Sequence, residues 1–379
     1  MIPLPKPKVK GAKLPPTSMA HSSELTTQLG EQRRTVDFDT FDIQVQQLLT
    51  MLEEDQISIA PAYQRQFRWD EARCSQLVES LILGIPIPNL FMATNEDNSW
   101  EVVDGLQRLC AVVKFAGDAT LRSKFKLGKE LALTGLKKID KFNDYTFRDL
   151  PPNVQQHIKT RPLKVVTLND KSDIVVRFDL FERLNTGGII LTQQEIRACV
   201  YGSKFADKLD ELSATSDFKS VVKLTEKQKT DGTAEECVLR FFAFLDKYME
   251  FDHSVTEFLN GYMRDAMKFS NHDLAGRDRE FSKVFRELGE VFSSGIMRPG
   301  RKGTTPLNLF EGIVVGAALA IREKGRLDIH SLDSWMASPE LRKYTTGATN
   351  SPRQVRGRIH FCRDRFLGKP YVRPAAQRN

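Results

Sequence analysis

The fold class predicted from the sequence is α+β, a small mixed α/β domain followed by an α-helical domain. Two observations predict it. Short apolar runs with strand character (Ile57–Ala60, Asn89–Ala93, Trp100–Val103 and Pro162–Leu168) all fall within the first 170 residues. Beyond about Tyr201 strand signals nearly vanish, and aromatic and aliphatic residues recur at helical spacing instead. A third, the absence of any repeat at a solenoid period, argues against a helical array.

Taken in order, residues 1–34 are rich in Pro, Ser, Thr and Lys without periodicity and read as a disordered basic tail. Ile43, Leu48, Leu49 and Leu52 suggest an amphipathic helix over Phe41–Glu54, before the strand at Ile57. Asp70 is a helix cap, Cys74, Leu77, Val78, Leu81 and Ile82 form the buried face behind it, and Gly84 closes that helix. The prolines of Gly84-Ile85-Pro86-Ile87-Pro88 force extended backbone, because each excludes its predecessor from the helical region. Two strands joined by the polar turn Asn95–Ser99 follow, then a helix over Leu106–Phe115 with Leu109, Val112 and Val113 inward. After Pro162–Leu168, a helix over Ser172–Leu184 is interrupted by Asn185-Thr186-Gly187-Gly188, and Thr192 with Glu195 forms a capping box for the next. The boundary is placed at residue 200, giving domains over 35–200 and 201–368, with a tail over 369–379. In the second domain Phe241–Phe251, Phe281–Phe292 and Gly312–Ile321 read as buried helix, and Phe178 and Phe181 in the first as packing.

The chain of 379 residues carries +7, but unevenly. Residues 1–34 hold +4 and residues 351–379 hold +7, so the intervening body sums to −4. Basic ends favour polyanions, nucleic acid above all, or simply aid solubility. No apolar run reaches the roughly 20 residues that cross a bilayer, and the N-terminus lacks the apolar core of a signal peptide. The five cysteines make no CxxC pair and fit free thiols in a reducing compartment, so a cytoplasmic location is expected. Six scattered histidines give neither metal-ligand spacing nor a His-Asn-His nuclease constellation.

Three segments carry candidate chemistry. In Tyr63-Gln64-Arg65-Gln66-Phe67-Arg68-Trp69-Asp70, two arginines and two amides precede a helix N-terminus, where backbone N–H groups favour anions and the guanidinium fork suits phosphate. The same arginines would serve equally as partners of acidic neighbours. In Asp104-Gly105-Leu106-Gln107-Arg108 a strand ends and a helix begins. Gly105 permits close backbone approach, the following amides can cradle an anion, and Arg108 can neutralise it. Asp104 would repel phosphate unless it held a metal, oriented water or accepted a hydrogen bond, and as a bare pattern Asp-Gly is a common hairpin turn. In the third, Ser351–Phe366, Ser351 and Pro352 open a helix. Val355, Ile359, Cys362 and Phe366 share one face, leaving Arg353, Arg356, Arg363 and also Arg358 toward DNA phosphates or toward the acidic body.

The run Pro61-x-Tyr63-Gln64-Arg65, Trp69-Asp70, Leu77-Val78-x-Ser80-Leu81, Gly84-x-Pro86-Ile87-Pro88 and Asp104-Gly105-x-Gln107-Arg108-Leu109 resembles the N-terminal domain of GmrSD-type modification-dependent restriction enzymes. Downstream, Phe181-x-Arg183-Leu184-Asn185-Thr186-Gly187-Gly188 and Leu191-Thr192-x-x-Glu195-Ile196-Arg197 extend the likeness over residues 40–200. The resemblance implies a ParB/sulfiredoxin-like domain over 35–200 that binds and hydrolyses a nucleoside triphosphate in restriction or anti-phage defence. It implies phosphate binding by Gln64, Arg65, Arg68, Gly105, Arg108 and Asn185, with Asp104 and Gln107 in catalysis and Asp104 holding Mg²⁺. The partners it implies are nucleotide, DNA, a separate nuclease or effector subunit and a further copy of the chain. Leu106 departs from the Gln usual in this motif, which puts a polar contact and efficient hydrolysis in doubt. Cys110 lies after Arg108, not before it, so sulfiredoxin-type thiol chemistry is not expected. A nucleotide-independent DNA-binding adaptor is the alternative reading, and an endonuclease acting alone is a third.

Overall fold

The computed structural model describes residues 25–27, 37–59, 67, 69–95, 97–169, 174–184, 192–301 and 303–370. Gln64, Arg65, Arg68 and Asn185, and most of the basic tail over 1–34, lie outside the described residues.

The chain enters the sheet at β1 (Phe38–Gln44) and turns into α1 (Val45–Glu53). The sequence reading expected helix from Phe41. Instead Phe38–Gln44 pairs antiparallel with β5 (Pro162–Leu168), Ile43 opposite Leu163. Long-range pairing overrides the local periodicity there, and only Ile43 of the strand is buried. β2 (Ile57–Ser58) runs parallel to β4 (Trp100–Asp104), which forms the expected hairpin with β3 (Leu90–Thr94). β3 also runs parallel to β5, so the strand order is β1-β5-β3-β4-β2. Two strands separate β1 from β4, about 14 Å in a flat sheet. Yet the Phe41 ring stacks on Trp100 with centroids 5.5 Å apart, so the sheet curls strongly on itself.

α2 (Glu71–Leu83) is capped by Asp70, whose Oδ1 accepts from Arg73 N at 2.7 Å, and it ends at Gly84 in the left-handed region, as the sequence implied. α3 (Leu106–Ala116) packs beside it, with Leu109, Val112 and Val113 buried as expected. The irregular stretch beyond contains α4 (Ala119–Lys124) and α5 (Pro152–Lys159). α6 (Ile174–Leu184) contacts β4, and α7 (Gln193–Val200) opens on the predicted Thr192–Glu195 capping box.

From α8 (Lys204–Ser213) and α9 (Ser216–Val221) onward the described elements are helical: α10 (Thr233–Lys247), α11 (Val255–Ala266), α12 (Asn271–Val291), α13 (Leu307–Lys324), α14 (Leu332–Met336), α15 (Pro339–Thr345) and α16 (Pro352–Phe366). The aromatic runs are core. Phe281 and Phe285 stack at 4.1 Å, and Phe241 meets both edge-on. α13 and α16 approach closely through Gly312 and Gly316. A Cβ on Gly316 would sit 2.7 Å from Arg363 N, whereas one on Gly312 would be 3.2 Å from its nearest neighbours.

A ladder of alternating charges runs through this interior. Arg197 of α7 pairs with Glu236, Glu236 with Arg240 at 2.6 Å, Arg240 with Glu311 at 2.6 Å, and Glu311 with Arg358. Burial alone would push the Glu236 carboxyl up, but Arg240 and Arg197 outweigh it and hold the group below its ordinary range. The ladder ties the segment carrying the predicted motifs to the C-terminal helix.

Candidate functional site

Asp104 ends β4, Gly105 occupies the left-handed region at φ 99°, and Leu109 N donates to Gly105 O at 2.8 Å to begin α3. The strand–turn–helix expected from the sequence is therefore present. A Cβ on Gly105 would meet Leu90 Cδ2 at 2.4 Å, so the turn needs glycine both for its torsion and for its fit against β3. No described side chain caps α3.

Arg108 lies on the first turn but is not held out toward solvent. Its guanidinium closes on Asp104 one turn earlier and donates from Nη2 to Asn89 O at 3.1 Å. The Arg108 side chain is 17% exposed and that of Asp104 35%. Arg108 Nε is buried and has no hydrogen-bond partner among the described residues. The expectation that Asp104 would repel an anion is thus modified, because Arg108 already neutralises it.

Gln107 points back toward the first motif and accepts from Trp69 N at 3.2 Å. Arg73 covers the Trp69 ring at 4.9 Å, and Asp70 is spent as the α2 cap. The described end of the Tyr63–Asp70 segment therefore abuts the Asp104–Arg108 turn, 38 residues away in sequence.

Leu106 is 5% exposed and belongs to the apolar core. The departure from the usual Gln therefore changes packing and is not a gap in an exposed polar face. Cys110 is buried, and burial pushes its thiol up to about 12, which makes it a poor nucleophile at neutral pH. No group of three His, Cys, Asp or Glu side chains suited to a metal gathers among the described residues. Asp104, as placed against Arg108, does not fit a bare divalent cation.

Sequence reasoning missed Glu101 and Arg177. Burial pushes the Glu101 carboxyl up to about 7, while Arg177 of α6 pulls it the other way. Arg177 also donates to Thr94 O at 2.8 Å, locking α6 to the end of β3. A charge inside the run Trp100-Glu101-Val102-Val103 was the available signal.

On α16 the arginine stripe is largely used by the protein. Arg358 is 1% exposed and pairs with Glu311, which corrects its expected exposure. Arg356 donates to Met249 O at 2.7 Å, and Arg363 pairs with Asp364 at 2.9 Å. Arg353 stands exposed on the first turn. Among the described residues no helix is long and apolar enough to cross a membrane.

No curated protein and no solved structure matches the chain. Residues 45–202 match the family model described as GmrSD restriction endonuclease, N-terminal domain. This span holds α1 through α7 and the Asp104–Arg108 turn, and the span belongs with the N-terminal domain family of GmrSD-type restriction enzymes.

Proposed function

We propose that residues 45–202 form a nucleoside-triphosphate-binding switch in a component of a restriction or anti-phage system. The observation that carries this reading is Arg108: a largely buried guanidinium whose Nε has no partner among the described residues, beside a glycine turn and an α3 N-terminus that no described side chain caps. A buried N–H donor without an acceptor is costly, and a phosphate oxygen is a strong acceptor for it. Gly105 removes the side chain that would otherwise crowd the turn.

In the unliganded protein Asp104 serves as the internal counter-ion of Arg108. Phosphate binding exchanges that carboxylate for an external anion and frees Asp104 to accept a proton from, or orient, a nearby water. Gln107, held by Trp69 N, fixes the relation between the two motifs. Gln64, Arg65, Arg68 and Asn185 complete the phosphate set in this proposal. The triphosphate, when bound, supplies a phosphoanhydride whose cleavage resets the switch, and Mg²⁺ would reach the site with it. A ParB-like arrangement of this domain, a separate nuclease or effector subunit, and self-association belong to the same reading.

The test is retention of radiolabelled ATP, GTP, CTP and UTP by wild type and Arg108→Ala. At least one nucleotide is expected to bind wild type and to be lost by tenfold or more in the variant. Equal retention of every nucleotide by both proteins removes the proposal.

A further inference from the structure

Outside this domain, the loop entering α13 reads Arg298-Pro299-Gly300-Arg301. Arg301 N donates to Arg298 O at 3.0 Å, and Gly300 has φ 73°. Proline second and a left-handed glycine third define a type II turn, whose first and fourth residues lie within about 7 Å. The turn therefore fixes two arginines side by side. Arg298 Nη2 is anchored to Thr345 O at 2.5 Å, the last residue of α15, and α15 contributes Arg342. All three arginines line one cleft of about 390 Å³ with Met297, Pro299 and Pro306. Among the described residues no carboxylate lines it.

Three like charges around one cleft repel. Burial and the proximity of Arg342 and Arg301 pull the Arg298 guanidinium below its ordinary range. This happens within a body that is acidic in sum. An anion relieves the repulsion, and guanidinium forks suit phosphate oxygens. Arg301 and Arg342 are exposed on the rim while Arg298 is half-buried, so an extended polymer can lie across the cleft. Met297, Pro299 and Pro306 offer apolar surface to sugar carbons.

We infer that the Arg298–Arg301 turn and Arg342 form a clamp for the phosphodiester backbone of nucleic acid, independent of the Asp104–Arg108 site. It locates nucleic-acid contact away from the α16 stripe, whose arginines other than Arg353 are engaged internally. Backbone contacts of this kind set affinity and orientation without reading sequence.

The test is fluorescence anisotropy of the full chain with labelled duplex and single-stranded oligonucleotides, at several salt concentrations and without nucleotide. Arg301→Ala and Arg342→Ala should each weaken binding by about five- to tenfold. Each should also flatten the plot of log affinity against log salt by about 0.9 for a duplex. Gly300→Ala, whose Cβ meets nothing within 4 Å but whose torsion is strained, should weaken binding with the fold retained by circular dichroism. Lys268→Ala, exposed elsewhere, should change little. Unchanged affinity and salt slope in both arginine variants overturn the inference. So does a wild-type chain that binds inorganic pyrophosphate or polyglutamate but no oligonucleotide. Radiolabelled nucleotide retention by Arg301→Ala should equal wild type, so failure here and failure at Arg108 are separable.

Discussion

The guanidinium of Arg108 rests on the carboxylate of Asp104, one helical turn before it, across a glycine that has no side chain to separate them. An internal salt bridge of this kind competes with any external anion for the same donor. Asp104→Asn removes the competitor while keeping a hydrogen-bond acceptor. The variant is expected to bind nucleotide three- to tenfold more tightly than wild type and, if wild type hydrolyses it, to hydrolyse it at least tenfold more slowly. Isothermal titration with the preferred nucleotide and a phosphate-release assay check the two halves.

Gly105→Ala attacks the same turn through the backbone. The added Cβ would press on the buried Leu90 side chain at 2.4 Å and on the Arg108 guanidinium at 3.1 Å, and φ 99° is strained for any L side chain. A loss of about 1–3 kcal/mol is expected, read by urea unfolding of the variant against wild type. Nucleotide retention should fall even at temperatures where the variant remains folded.

These features were unequally legible in the sequence. Asp70, Gly84 and the Thr192–Glu195 box act through neighbours within a few residues, so local chemistry announced them. The hairpin of β3 and β4 and the helical character beyond residue 200 followed from periodicity. β1 was invisible because its strand character comes from β5, over a hundred residues later. Arg358 was left between DNA and the acidic body for a related reason. Its helical face looked solvent-facing until α13 brought Glu311 against it, which no spacing rule within α16 reveals. At the site, the torsion and placement of Gly105 were legible. The closure of Arg108 on Asp104 was available from their spacing of four but was read as a free cation.

Glu101 gives the fold a pH dependence with a definite sign. Its carboxyl sits near 7 in the folded chain and near its ordinary 4.5 when unfolded, so folding favours the protonated form. That contribution is full below about pH 4.5, declines as pH rises and is gone above about 7. Glu101→Gln keeps the neutral form at every pH. Relative to wild type it should be more stable at pH 8, by at most about 3 kcal/mol, with the advantage disappearing at pH 4. Urea midpoints at pH 4, 6 and 8 measure this, and a difference independent of pH contradicts it.

The buried ladder makes a sharper claim about the helical region. Glu311 is almost fully buried and serves Arg240 with one oxygen and Arg358 with the other. Glu311→Gln leaves excess positive charge in a medium that solvates it poorly, and such a loss costs about 3–5 kcal/mol. Arg358→Met alone leaves Glu311 with Arg240 and should cost less. In the double variant Glu311→Gln/Arg358→Met one positive charge leaves with the negative one, so its loss should be smaller than the sum of the two singles. A double-mutant cycle by guanidinium unfolding measures the coupling. Additive losses would mean that the two charges act independently, and the ladder would then be no more than a set of separate neighbours.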